Sequence, residues 1–148
     1  MCKKDKQTIS SEFSFDSAHF LPGYTGKCKN IHGHRWRCIV TITGDIIEEG
    51  SSEDMILDFT DFKKSLKEVE NELDHKLLIT EGSISQAFYD MLVFNHFEIV
   101  TFPFRTVAEN MSKWIAYHLK EEYNFNVVSV TLYETPNNWS TYIMKEED

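Results

Sequence analysis

The chain has 148 residues, 41% of them hydrophobic and 26% charged, with 6 Gly and 3 Pro. That size and balance fit one domain over 1–148 and exclude disordered, collagen-like and coiled-coil classes. The net charge of −9 disfavours nucleic acid and anionic membranes as partners, and three Cys without a Cys-x-x-Cys pair argue for a reducing, cytoplasmic setting.

In chain order, the polar start through Gln7 lacks the apolar stretch of a secretory signal, and no apolar run reaches membrane-spanning length. Cys2 falls in this tail and is expected to be inert. Between about Thr8 and His19, Phe13, Phe15, Ser17 and His19 share one parity, which predicts a strand. Pro22, Gly23 and Gly26 mark the next stretch as a loop. A second strand, from near His32 to about Asp45, sets His34, Trp36, Cys38, Val40 and Ile42 on one face and Arg35, Arg37, Ile39, Thr41 and Thr43 on the other. The acidic stretch Glu48 to Asp54 reads as a turn. Phe62, Leu66, Val69 and Leu73 recur at helical spacing, with Thr60 as the expected N-cap and the end near Leu73. Within 79–101, Ser85 to Val93 suits a short helix and Glu98 to Phe102 an extended piece. Thr106 and Glu109 have capping-box spacing and open a further helix with the stripe Val107, Met111, Trp114, Ile115 and Leu119. Strands over Val127 to Glu134 and Ser140 to Met144 close the chain, before a short acidic end that is expected to fray.

The order ββααββ predicts an α+β fold, a four-stranded antiparallel sheet with two helices on one face. Four strands cannot close a barrel, and neither outer strand is blunted by Pro or Lys. The edges are therefore expected to pair with other copies of the chain, three copies closing a ring.

His32 and His34 are two apart in a strand and point the same way. His19 ends the preceding strand on the same side as Phe13 and Phe15. If the strands pair, three imidazoles meet, as at a zinc ion with an open fourth position. Gly33 between them would leave room for the metal. The other reading of His-Gly-His is a turn with solvated rings. Cys28, between Lys27 and Lys29, can be a base or nucleophile, a fourth ligand of a structural zinc, or an idle loop Cys. Cys38 reads as core. Asp74 beside His75 can orient the ring or simply end a helix. Glu134, at a strand end, can accept two N–H bonds from a guanidine-like ring edge or lie exposed. Glu109 can do similar work, or only cap its helix. His96 and His118 read as structural or surface residues.

These residues stand in recognisable order: Phe13-Ser14-Phe15-Asp16-Ser17-Ala18-His19, the Cys-x-x-x-His-Gly-His run from Cys28 to His34, Ile56-Leu57-Asp58-Phe59, Leu73-Asp74-His75, Val107-Ala108-Glu109-Asn110 and Tyr133-Glu134-Thr135. Over almost its whole length the chain resembles the 6-pyruvoyltetrahydropterin synthase family. The short gap from Cys to His-Gly-His is similar to the bacterial branch, the 6-carboxytetrahydropterin synthases of the queuosine pathway. The resemblance implies the tunnelling fold, with trimers forming a barrel and two trimers stacking into a hexamer. It implies Zn²⁺ held by His19, His32 and His34, Cys28 as proton-abstracting base, Asp74 and His75 as a relay, and Glu134 anchoring a pterin ring. The implied substrate is 7,8-dihydroneopterin triphosphate, with Lys27, Lys29, Arg35 and Arg37 as candidates to meet its charge. The implied products are 6-carboxytetrahydropterin, acetaldehyde and triphosphate. A pyruvoyl-forming enzyme and a non-catalytic pterin- or purine-binding protein are the alternatives. One departure stands out: the family shows Pro-Thr before Ala-Glu-Asn, and this chain has Thr106-Val107.

Overall fold

A computed structural model describes residues 6–145, so Cys2 and the last acidic residues lie outside it. The chain forms β1 (Thr8–His19), β2 (His32–Thr43), α1 (Phe59–Leu73), β3 (Leu77–Thr80), α2 (Gln86–Phe94), β4 (Ile99–Phe102), α3 (Ala108–Tyr123), β5 (Asn126–Thr135) and β6 (Asn138–Ile143). No helix among the described residues is long and apolar enough to cross a membrane.

The α+β class holds, but the sheet is not four-stranded and not purely antiparallel. It has six strands in the order β4-β3-β1-β2-β5-β6, with β1, β2, β5 and β6 antiparallel to their neighbours and β3 and β4 added in parallel beside β1. A third helix, α2, makes the crossover between the two parallel strands. The four-residue β3 reads Leu-Leu-Ile-Thr, so it has no alternation to betray it. Parallel strands covered on both faces read as short apolar runs.

One face of the sheet carries the core. Phe13 and Phe15 of β1, Trp36, Cys38 and Val40 of β2, and Val130 and Leu132 of β5 pack against Phe62, Leu66, Val69 and Leu73 of α1 and Met111, Ile115 and Leu119 of α3. The other face of β1 and β2 is polar. There Arg35 pairs with Asp16 at 2.8 Å and Arg37 with Glu12 at 2.6 Å. Each guanidinium thus already faces a carboxylate.

Two caps differ from the reading above. The N-cap of α1 is Asp58, whose carboxylate accepts from the Thr60 N–H at 2.6 Å; Thr60 itself is the second helical residue. Asp58→Ala should therefore cost about 0.5–2 kcal/mol in chemical denaturation, while Thr60→Ala changes little. At α3 the N-cap is Val107 with no side-chain cap bond, so the capping box does not form. Thr106 is buried one residue earlier and its hydroxyl lies 3.2 Å from His19 Nδ1 instead.

Candidate metal centre

The antiparallel ladder of β1 and β2 sets His19 opposite His32 and Ser17 opposite His34. All three imidazoles have the parity of the core-facing residues, so they form its last layer, over Trp36. The His19 ring meets Trp36 edge-on at 5.1 Å and His34 does so at 5.5 Å. Centroids of the three rings lie 4.6, 5.1 and 4.9 Å apart.

The protons are arranged for metal binding. His19 Nδ1 donates to the Thr106 carbonyl at 2.9 Å, and His32 Nδ1 donates to the Asn30 carbonyl at 2.7 Å. A carbonyl only accepts, so in the neutral rings Nε2 carries the lone pair. Nε2 of His19, His32 and His34 are all buried and without a hydrogen-bond partner. One ring nitrogen from each lies within 4.8 Å of the others, and no other His, Cys, Asp or Glu among the described residues joins the group. Burial, reinforced by the neighbouring imidazoles, holds His19 down at about 4 against the Thr106 bond, and burial likewise lowers His34. Both rings are therefore neutral at pH 7, the form that ligates. Three such nitrogens, two of them oriented from behind by carbonyls, suit a borderline divalent ion with an open position.

Gly33 does not make room for this site. It lies between His32 and His34 on the opposite face, and a Cβ there would meet only the Ser17 carbonyl, at 3.7 Å. Gly33 instead lines two grooves of about 500 and 510 Å³.

Glu134 has the parity of Val130 and Leu132, and the pairing of β5 with β2 brings it to the histidines of its own chain. Its Oε1 is 3.4 Å from His19 Nε2 and 3.7 Å from His34 Nε2. Its distance along the chain is therefore no reason to divide the site between subunits. Burial raises its carboxyl, partly countered by His32 and helped by the charge of Glu109. Glu109 is exposed in the first turn of α3, close enough to be felt by Glu134.

Asp74 and His75 form a second group. Asp74 Oδ2 accepts from His75 Nδ1 at 2.7 Å, Asp74 Oδ1 accepts the Asp16 N–H at 2.8 Å, and the His75 N–H donates to the Asp16 carbonyl at 2.6 Å. His75 takes a left-handed φ of 58° to make this turn into β3. The exposed ring and His34 both border one of the two grooves. Burial works to raise the Asp74 carboxyl, but the Asp16 N–H and His75 outweigh it and the net shift is downward from 3.8. A lowered carboxyl stabilises the fold above its ordinary value and loses that contribution as pH falls through the folded value. Asp74→Asn keeps an acceptor but no charge, so it should be less stable than the parent at pH 7, with the gap starting to narrow as pH falls past 3.8 and closing only below the lowered folded value, as read by urea denaturation across that range.

Cys28 sits in a 3₁₀ turn, Lys27–Lys29, half-buried. Its Sγ is not in the three-histidine group, which counts against a fourth-ligand role. Nor does any hydrogen bond or ion pair among the described residues tie its side chain to Asp74 or His75. Cys38 is wholly buried, and burial raises its thiol far above the ordinary range, as befits an inert core residue. His118 stacks on Trp114 and pairs with Glu72, and His96 lies in the turn after α2. Sequence reasoning missed Thr106 as the residue that orients His19; its burial beside a partner 87 positions away left no local signal.

Fold and site together define an α+β protein with three histidines at the end of its core that could hold a metal ion. The pattern of one family, 6-pyruvoyl tetrahydropterin synthase, matches residues 8–145, and the chain belongs to that family. A 6-carboxy-5,6,7,8-tetrahydropterin synthase of Haemophilus influenzae is 36% identical over 137 residues, covering 90% of this chain and 96% of that protein. The protein of that name from Aquifex aeolicus is 30% identical over 133 residues, covering 82% of this chain and 77% of its own. Among solved structures, a Wolinella succinogenes protein superposes with a TM-score of 0.78 at 17% identity, covering 96% of this chain and all of its own. The Caenorhabditis elegans 6-pyruvoyl tetrahydropterin synthase does so at 0.67 and 23%, covering 98% of this chain and 100% of its own. At these identities the superpositions establish the fold alone.

Proposed function

We propose that this chain is a zinc-dependent carbon–carbon lyase of queuosine (7-deazaguanine) biosynthesis. It converts 7,8-dihydroneopterin triphosphate and water to 6-carboxy-5,6,7,8-tetrahydropterin, acetaldehyde and triphosphate. The observation that carries the reading is the set of three buried, unpartnered Nε2 atoms in a chain whose curated relatives bear that enzyme's name.

His19, His32 and His34 would hold the zinc, which when bound supplies a Lewis acid that polarises side-chain oxygens of the substrate and acidifies the adjacent C–H. Cys28 accepts the proton released there. His75, oriented by Asp74, carries protons to and from the reacting side chain as triphosphate leaves. The Glu134 carboxylate accepts two N–H bonds from the guanidine-like edge of the pterin, with Glu109 assisting at the start of α3. Lys27 and Lys29 are exposed on the Cys28 turn and can face the triphosphate. The hydroxyl lost at Val107 withdraws one polar contact from the ring.

The protein acts as a cytoplasmic homo-oligomer, a trimer or a stacked pair of trimers, with no nucleic acid or membrane partner. Both outer strands, β4 and β6, present open edges, and Trp139 and Ile143 on β6 and Phe94 and Phe97 before β4 are exposed. With no bond between Cys28 and the Asp74–His75 pair of the same chain, a neighbouring copy can complete the relay.

Incubation with 7,8-dihydroneopterin triphosphate tests the reaction. Stoichiometric acetaldehyde is expected. Triphosphate release without acetaldehyde would mark the pyruvoyl-forming activity, and no release of either would leave a pterin-binding protein.

A further inference from the structure

His75 holds a backbone conformation that its side chain does not favour. Its φ of 58° is left-handed, where the Cβ of an L-residue crowds a carbonyl and only Gly, Asn and Asp sit readily. A turn into β3 alone would be served better by one of those residues. Strain of this kind persists where surrounding contacts over-determine it, and it gathers at functional sites.

The contacts come from Asp16, Ser17 and Ala18 of β1. The Asp16 carbonyl accepts the His75 N–H at 2.6 Å, and the Asp16 N–H donates to Asp74 Oδ1 at 2.8 Å. The Ala18 N–H donates to the Lys76 carbonyl at 3.2 Å. Between them Ser17 is 5% exposed, and its hydroxyl donates to the Leu73 carbonyl at 2.5 Å. That carbonyl belongs to the last turn of α1, whose carbonyls have no partner within the helix. Its other donor, the Lys76 N–H, stands at 3.4 Å, too long to replace the hydroxyl. Main-chain groups at 16 and 18 are supplied by almost any residue, so the hydroxyl is the part of this clamp that the side-chain identity decides. A buried hydroxyl costs free energy unless it is bonded, which ties Ser17 to the Leu73 carbonyl. Ser17 also stands opposite His34 in the β1–β2 ladder. Ser17, His34 and His75 border one groove of about 500 Å³.

We propose that Ser17 is a positioning residue for the His75 imidazole. Its hydroxyl fixes the end of α1 to β1, so the strained turn keeps the ring in the groove beside His34. This rests on the relay role given to His75 above. β1 thereby carries His19 of the three-histidine cluster and the anchor of the proton-carrying ring on one strand, in fixed relation to each other. With the hydroxyl gone, the 73–75 turn relaxes toward an unstrained φ, and the ring leaves the place from which it serves the reacting side chain.

Ser17→Ala, Ser17→Cys and His75→Asn are compared with the parent by acetaldehyde release from 7,8-dihydroneopterin triphosphate, by zinc content and by amide hydrogen exchange in NMR. Ser17→Ala should lower kcat by about 10- to 100-fold with KM within about twofold, because a small misplacement of a positioned group is costly in rate. Its zinc content should match the parent's. The His75 and Asp16 amides should exchange faster by about 10-fold or more while those of α3 keep the parental rate, the mark of a local opening. Ser17→Cys fills similar space with a weaker donor, so it should be intermediate and reads the same effect if the Ala variant does not fold. A parental kcat in Ser17→Ala, or in Ser17→Cys where Ala does not fold, would overturn the proposal. So would a lowered kcat with unchanged exchange at His75. His75→Asn suits the left-handed turn and separates this proposal from the relay on which it rests. If His75→Asn turns over like the parent, the relay role of His75 fails. If it loses turnover while Ser17→Ala keeps it, only the role of Ser17 fails.

Discussion

His34→Ala is expected to abolish tight metal binding while leaving the fold standing. The ring is 19% exposed at the rim of the core, and its Nε2 makes no hydrogen bond that folding would lose. Removing it also removes one buried, unsatisfied nitrogen, so the metal-free variant should melt no lower than the metal-free parent. The contrast lies in the loaded state. A ligand that binds only the native protein stabilises it by about 2.7 kcal/mol when its free concentration is a hundred times Kd. The parent's melting temperature should therefore climb with added Zn²⁺ and the variant's should stay flat, with affinity lower by more than about 100-fold. Differential scanning calorimetry at several Zn²⁺ concentrations, alongside acetaldehyde release, reads both effects. A variant that is still stabilised by zinc like the parent would refute the centre.

The second large effect is expected at Cys28. Cys28→Ala should lower turnover by about 10²–10⁴-fold, the usual contribution of a positioned acid–base group. Its metal content should not change, because Sγ stands outside the group of three ring nitrogens. The pairing of these two readouts separates three roles. Lost turnover with retained zinc supports a base, lost zinc means a ligand, and wild-type turnover means an idle loop thiol. Conversion to Ser is informative beside it. A hydroxyl fills the same space but is a far weaker base, so Cys28→Ser should resemble Cys28→Ala in rate.

Cys28 and the three-histidine cluster differ in how much local sequence says about them. β1 and β2 are long and half-covered, so their alternation is strict and assigns His19, His32 and His34 to the face of Phe15 and Trp36 before any contact is known. The same parity on β5 puts Glu134 in line with Val130 and Leu132. Asp74 and His75 follow a helix whose apolar stripe ends at Leu73, so their position at a helix end was also readable. Cys28 lies in a loop with no period, and its neighbours in space could not be anticipated. The short β3 and β4 were obscured for a different reason. At four residues each, paired in parallel, they give neither length nor alternation to recognise.

Periodicity along the chain was enough to say which side of the sheet each histidine takes, since successive strand residues must alternate. It could not say how far apart those rings lie, which nitrogen keeps its proton, or that a glutamate joins them. Those depend on register between strands and on packing of α3, which brings Thr106 onto a ring 87 positions earlier and Glu134 within 3.4 Å of the same ring. Such distances come from contacts between remote segments, and these form only when the core closes.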